Sequence, residues 1–127
     1  MPSYKDRLSL ILFRLARSRL GGFCVRWGVT HMSKALPVHY LFESDTVLAF
    51  YHPHPAYPVH VLIVPKKPLK SLMELSAEQT TWMVDVLQAA QSLVRQLHLE
   101  ECGYRLILNG GKYQEVEMLH FHLVSGN

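Results

Sequence analysis

The sequence predicts an α+β domain: an antiparallel sheet with one long helix packed on it, preceded by an N-terminal amphipathic helix. Three observations carry the prediction. Short runs rich in β-branched and aromatic residues recur between turn residues. One long segment, between the third and fourth of these runs, repeats its apolar residues at helical spacing. The final run, Met118 to Val124, alternates with period two, as a half-buried strand does. Runs of strands grouped around one helix, without a regular βαβ alternation, make an α+β domain.

Taken in order, Tyr4 to Leu20 reads as a helix. At helical spacing Leu8, Ile11, Leu12, Leu15, Ala16 and Leu20 share one side and Arg7, Arg14 and Arg17 the other, with Leu10 and Arg19 off the pattern. No apolar run approaches the roughly 18 residues of a membrane span. Leu8 to Phe13 is short for a signal peptide and meets Arg14 at once. Three expectations follow for residues 4–20: packing on the body or a dimer partner, contact with a membrane surface, or a targeting role. Gly21-Gly22 ends this segment, and Phe23 to Ala35 is expected to hold a short helical turn. Pro37 opens a strand, Val38 to Phe42, which turns at Glu43-Ser44-Asp45 into Thr46 to Tyr51 as a hairpin. His52 to Pro58 carries three prolines and is a rigid loop. His60 to Val64 is a strand closed by Pro65. Ser71 to Glu74 and Ser76 to Gln79 are successive capping boxes, the second opening the long helix. Trp82, Met83, Val86, Leu87, Ala90, Leu93, Val94 and Leu97 form its core face; Asp85, Gln88, Gln91, Ser92 and Arg95 lie opposite. Glu100 to Gly103 turns the chain into a strand from Tyr104 to Leu108.

At 127 residues, 49% hydrophobic and 18% charged, the chain is one ordinary globular domain with room for a core. Cys24 and Cys102, far apart, frame neither a disulfide scaffold nor a cysteine-rich zinc site, so a reducing, cytoplasmic setting is expected. The net charge of +3 is unevenly spread. Residues 1–26 hold six basic side chains against Asp6, which puts +5 on this arm and leaves −2 on the rest. A basic extension on a slightly acidic body argues against a nucleic-acid surface.

The chemistry gathers at the end of the chain. In Met118 to Val124, Leu119, Phe121 and Leu123 share the face expected to be core, whereas Met118, His120, His122 and Val124 share the other. Two imidazoles therefore sit side by side along one strand. Upstream, Asn109-Gly110-Gly111 forms a turn and Gln114 follows, bringing backbone N–H groups and amide donors near the histidines, as an anion site needs.

His120-Phe121-His122-Leu123-Val124, led in by Asn109 and Gln114, resembles the signature of the histidine triad (HIT) family of nucleotide hydrolases and transferases. That signature is His-φ-His-φ-His-φ-φ, with φ apolar, and Met118 stands at its first His. A second block, Leu48-Ala49-Phe50, Pro55, Pro58-Val59-His60 and then Val61 to Lys67, resembles the family's stretch before the long helix. The resemblance covers roughly residues 34–126, so the domains expected are a basic extension, 1–26, and a HIT-like domain, 34–127.

The resemblance implies a hydrolase or nucleotidyl transferase acting on a purine nucleotide or nucleotide conjugate at its α-phosphate. It implies a nucleotidyl-histidine intermediate on His120, with His122 as the phosphate-contacting helper. His60, Asn109 and Gln114 match phosphate or leaving-group contacts, and a homodimer with no cofactor is implied. Glu115 stands where phosphoramidase relatives place Ser. His52 stands at an acidic position that holds ribose hydroxyls, the loop from Asn109 to Gln114 is short, and the Cys-x-x-Cys zinc pair of many relatives is missing. Two other readings follow from the residues. Met118 and His52 motivate a nucleotide-binding protein with weak or absent catalysis, and His120, His122 and His60, or His52 and His54, motivate a zinc site. No metal is expected, because the chemistry needs a free imidazole lone pair.

Overall fold

Five short runs of strand-forming residues pair into one antiparallel sheet in the computed structural model, which describes Tyr4, Asp6, Arg7, Leu8, Leu10, Ile11, residues 38–67 and residues 69–126. The strands are β1 (Tyr40–Glu43), β2 (Val47–Tyr51), β3 (Val59–Pro65), β4 (Arg105–Ile107) and β5 (Phe121–Ser125), in the spatial order β1-β2-β3-β5-β4. Central β3 carries the longest apolar run because it is covered on both faces. Its register sets Leu62 opposite His122 and His60 opposite Val124.

One face is closed by the long helix α1 (Thr80–Gln96). Val47, Ala49, Val61, Ile63 and Leu123 of the sheet pack with Val86, Ala89, Ala90, Leu93 and Val94 of the helix. Removing one such aliphatic side chain from water is worth about 1.5–3 kcal/mol. Thr46 Oγ1 donates to Asp85 Oδ2 at 2.8 Å and ties the hairpin to the helix rim. Ser76 N–H donates to Gln79 Oε1 at 2.6 Å, as a capping box requires, but the chain first makes a 3-10 turn at Ala77–Gln79. His98, in the left-handed region at φ 57, ends the helix and returns Leu99 to the core.

The opposite face holds a second cluster, Val38, Leu48, Phe50, Leu62, Val64, Val116 and Met118. Past β5, Gly126 adopts φ 87, and a Cβ there would lie 2.8 Å from Pro58 Cγ. The end of the sheet is thus pressed against the loop that precedes β3.

Several sequence expectations shift. The first strand runs from Tyr40 to Glu43 instead of Val38 to Phe42, and the fourth is trimmed to Arg105–Ile107. The last strand begins at Phe121, not Met118. Met118 N–H bonds Val116 O and Leu119 N–H bonds Leu69 O, both at 2.8 Å, so these groups serve loops instead of the ladder. Leu87, expected in the core, is 54% exposed, and Ala89 is buried in its stead. Tyr4, Asp6, Arg7, Leu8, Leu10 and Ile11 are helical as expected. Leu10, off the predicted apolar side, is half-buried, while Ile11 is 53% exposed. Asp6 Oδ1 lies 2.7 Å from His39 Nε2, joining this segment to the lead-in of β1. The expectations for residues 12–20, Gly21-Gly22, the turn within 23–35 and Pro37 lie outside the described residues. Among the described residues no helix is long and apolar enough to cross a membrane.

Candidate active site

The site forms where the first half of β3 lies beside β5, on the face away from α1. Period-two alternation sends Val61 and Leu123 under the helix, and the same alternation turns His60 and His122 to the opposite side. His120 sits just ahead of β5. His52 and His54 come from the Pro-rich loop between β2 and β3, and Asn109 to Val116 from the loop after β4. His52, His54, Ala56, His60, Asn109, Tyr113, Glu115, Val116, His120 and His122 line a pocket of about 280 Å³.

Hydrogen bonds assign a tautomer to each ring. His120 Nδ1 lies 2.5 Å from Met118 O, and a carbonyl only accepts, so Nδ1 carries the proton and Nε2 keeps its lone pair. Ala56 N–H donates to His60 Nδ1 at 3.0 Å, so the proton of neutral His60 is on Nε2. That nitrogen lies 2.8 Å from His122 Nδ1, which accepts, leaving His122 Nε2 as a donor. His54 N–H donates to His52 Nδ1 at 2.9 Å and fixes His52 as the Nε2–H form in the same way. Backbone geometry thus sets one ring as a lone-pair donor and the others as N–H donors.

The rings are also held neutral. Burial, then the neighbouring His60, His122, His120 and His54, lowers His52 to about 3. Burial, then His120 and His60, lowers His122 to about 4 against an opposing pull from Glu115. Burial lowers His60. It also lowers His120, although the Met118 carbonyl and Glu115 act the other way. The rings of His52 and His60 lie 4.3 Å apart, those of His60 and His122 5.1 Å, and those of His120 and His122 5.0 Å. Protonating one therefore penalises the next.

His52, His60 and His122 each bring one nitrogen to within 4.8 Å of the others, the spacing of a three-ligand metal site. The tautomers do not fit a cation. Metal binding at Nε2 of His52 or His60 would move the proton to Nδ1, against the backbone N–H of His54 or Ala56.

His120, His122, His60, His52, Asn109 and Glu115 are brought together as the sequence leads one to expect. Gln114 is not on the pocket wall: its Nε2 donates to Lys70 O at 2.7 Å and to Val116 O at 2.9 Å, pinning the loop from behind. Tyr113, 82% exposed at the pocket edge, was not among the sequence candidates. An aromatic directly before Gln114 in a Gly-rich turn is the signal that points to it. Ala56 escaped notice because its contribution is a backbone N–H, which no side-chain pattern encodes.

A five-stranded antiparallel sheet with one long helix across it, and neutral imidazoles grouped on the face of its central strands away from that helix, defines a small α+β domain whose chemistry is that of histidine. The chain belongs to the HIT family: the HIT domain model matches residues 33–127. It is 36% identical over 95 residues to an uncharacterised HIT-like protein of Synechococcus elongatus, covering 73% of this chain and 82% of that one. It is 32% identical over 95 residues to the purine nucleoside phosphoramidase of Escherichia coli, covering 73% and 80%. The fold matches the crystal structure of a HIT family hydrolase from Legionella pneumophila with TM-score 0.73 and 31% identity, covering 78% of this chain and 90% of that one.

Proposed function

We propose that the chain hydrolyses or transfers nucleotides at the α-phosphate through a nucleotidyl-histidine on His120, acting on a nucleoside phosphoramidate or a dinucleotide-type substrate. The observation that carries this reading is the bond from His120 Nδ1 to Met118 O, because it leaves Nε2 as the nucleophilic nitrogen. Nε2 attacks phosphorus, the bond to the leaving group breaks, and that group departs with the electron pair and gains a proton. Water then attacks the same phosphorus, releases a proton and frees His120. His122 Nε2–H, oriented through His60 and the Ala56 N–H, donates to a phosphoryl oxygen as charge builds on it. Asn109 is a further donor at the wall, and Gln114 acts by holding the loop. The name of the E. coli relative favours a purine nucleotide conjugate. The exposed thiol of Cys102 suits a reducing cytoplasm. A homodimer belongs to this reading, supported by the place of β4 at the end of the strand order among the described residues and by exposed Val84, Leu87 and Tyr104. For the N-terminal segment we favour packing on the body over a membrane surface, on the strength of the Asp6–His39 contact.

The test is incubation with adenosine and guanosine phosphoramidates, with mass spectrometry for an adduct on His120. His120→Ala is expected to lower turnover by at least about a thousandfold while nucleotide binding persists. Residual activity within about tenfold moves the chemistry to another residue. Met118 at the first triad position favours a second reading, nucleotide binding without turnover. AMP binding with neither adduct nor turnover would establish it.

A further inference from the structure

The proton on His120 Nδ1 is held by a carbonyl, and that carbonyl is held by the peptide plane to which it belongs. The 118–119 peptide is planar, so its C=O and its N–H point in opposite directions and turn together. Leu119 N–H donates to Leu69 O at 2.8 Å, while Met118 O accepts from His120 Nδ1 at 2.5 Å. Both side chains that flank the plane are buried, Met118 at 6% exposure and Leu119 at 1%. Met118 lies in the second core cluster with Leu48, Phe50, Leu62 and Val64. Upstream, Met118 N–H donates to Val116 O at 2.8 Å, and Gln114 Nε2 bonds the same carbonyl. A hydrogen bond thus fixes the plane at its Leu119 end, and the packed Met118 side chain anchors the other. A thioether carries no proton and is a weak acceptor, so this side chain can neither relay a proton nor polarise His120.

We propose that Met118 is a positioning residue for the nucleophile: burial of its side chain among Leu48, Phe50, Leu62 and Val64 holds the 118–119 peptide plane so that its carbonyl meets His120 Nδ1. The position at which the family signature has its first histidine works here by packing. This rests on the hydrolase reading above and deepens it, because it makes the placement of one carbonyl a condition of turnover. An unbranched, flexible side chain fills an irregular gap between strands and loop. An imidazole in its place would carry polar nitrogens into an apolar cluster and would swing toward a hydrogen-bond partner, taking the carbonyl with it. Once the carbonyl is withdrawn, His120 is free to carry its proton on Nε2, and no lone pair then faces phosphorus.

The test reads the tautomer of His120 directly, by proton–nitrogen correlation spectra of isotopically labelled protein at neutral pH, with His120→Ala assigning the signal. The natural chain should show the proton on Nδ1. Met118→Ala, which opens a cavity beside the plane, should move a detectable share of it to Nε2. It should also lower kcat on adenosine phosphoramidate by about tenfold, the scale of one hydrogen bond, with KM within about threefold. Met118→Val, a smaller truncation, makes the same comparison if Met118→Ala does not fold. Met118→Leu, close in volume, should recover most of the tautomer and of kcat. Met118→His should lower kcat instead of raising it. Leu48→Ala is the control for general loosening: it cuts a fully buried side chain out of the same cluster, and it should lower the urea midpoint while His120 keeps its proton on Nδ1. His60 and His122, locked through the Ala56 N–H, should keep their tautomers in every variant. A shift of tautomer in Met118→Ala without turnover by the natural chain would sink the catalytic reading and leave the positioning role standing. An unchanged His120 tautomer in Met118→Ala, an equal shift in Leu48→Ala, or a gain of kcat in Met118→His overturns the proposal.

Discussion

The two faces of the sheet are cut from the same strands and serve opposite ends. Beneath α1, Val61 and Ile63 of β3 and Leu123 of β5 are fully buried and apolar. On the other face the histidines alternate diagonally with apolar residues, His60 opposite Val124 and His122 opposite Leu62. Leu62 and Val64 pack with Leu48, Phe50 and Met118, whereas His60 and His122 stand where the loops enter. Parity decides which face a residue joins. On that face the residue type and the covering loop decide whether a position packs or reacts, because the N–H groups of His54 and Ala56 come from the loop before β3 to fix the rings. One face is therefore expected to answer for stability and the loop-covered histidines of the other for turnover.

The largest effect expected from this division is on stability. Leu93→Ala, under the sheet and fully buried, should cost about 2–5 kcal/mol in urea unfolding. The folded fraction should keep its kcat/KM; a drop beyond the lost fold would show that the faces are coupled. Ala56→Pro cuts the other way. It deletes the N–H that holds His60 in one tautomer, and so the donor state of His122, without touching a core side chain. Turnover should fall by about tenfold, the free-energy scale of one hydrogen bond, with Tm nearly unchanged. Full activity would show that the ring needs no such lock.

The smallest effect is graded by pH. The unfolded chain takes up protons near 6.5, but His122 resists until about 4 and His52 until about 3. The unfolded state therefore binds more protons between those values. Stability should be fully present above about 6.5 and decline as pH falls towards 4 and then 3. Thermal melts from pH 8 to 4 measure it, and Tm rising on acidification would contradict it. Because burial lowers His120, its lone pair should survive below pH 6.5, so the acid limb of kcat/KM should lie beneath that value. A limb at or above 6.5 would mean that the ring is solvated.

The long helix and the β2–β3 pair were legible because pattern and packing agree there. Trp82 to Leu97 repeats at helical spacing, and Val61 to Val64 is apolar throughout because both of its faces are covered. Leu87 misled because it sits about 100° from Val86, at the margin of the buried arc, where α1 meets solvent instead of sheet. Met118 to His120 misled differently. Their alternation gave the correct sides, since Met118 joins the second cluster, but Val116 O and Leu69 O claim their backbone. The histidines of the site were readable from the motif. Their tautomers were not, because each depends on a main-chain atom of another segment, and the withdrawal of Gln114 was hidden for the same reason.

The contact between Gly126 and Pro58 has a practical consequence for anyone engineering this domain. Any residue with a β-carbon at 126 would push the proline ring away, and two residues after that proline, inside β3, lies His60, across the ladder from Val124. A disturbance behind β5 therefore reaches an imidazole. Fusion tags, affinity handles or stabilising consensus changes should be joined beyond this glycine and leave it in place. Linker scanning at 126 offers a way to tilt the histidine cluster without editing any residue in it.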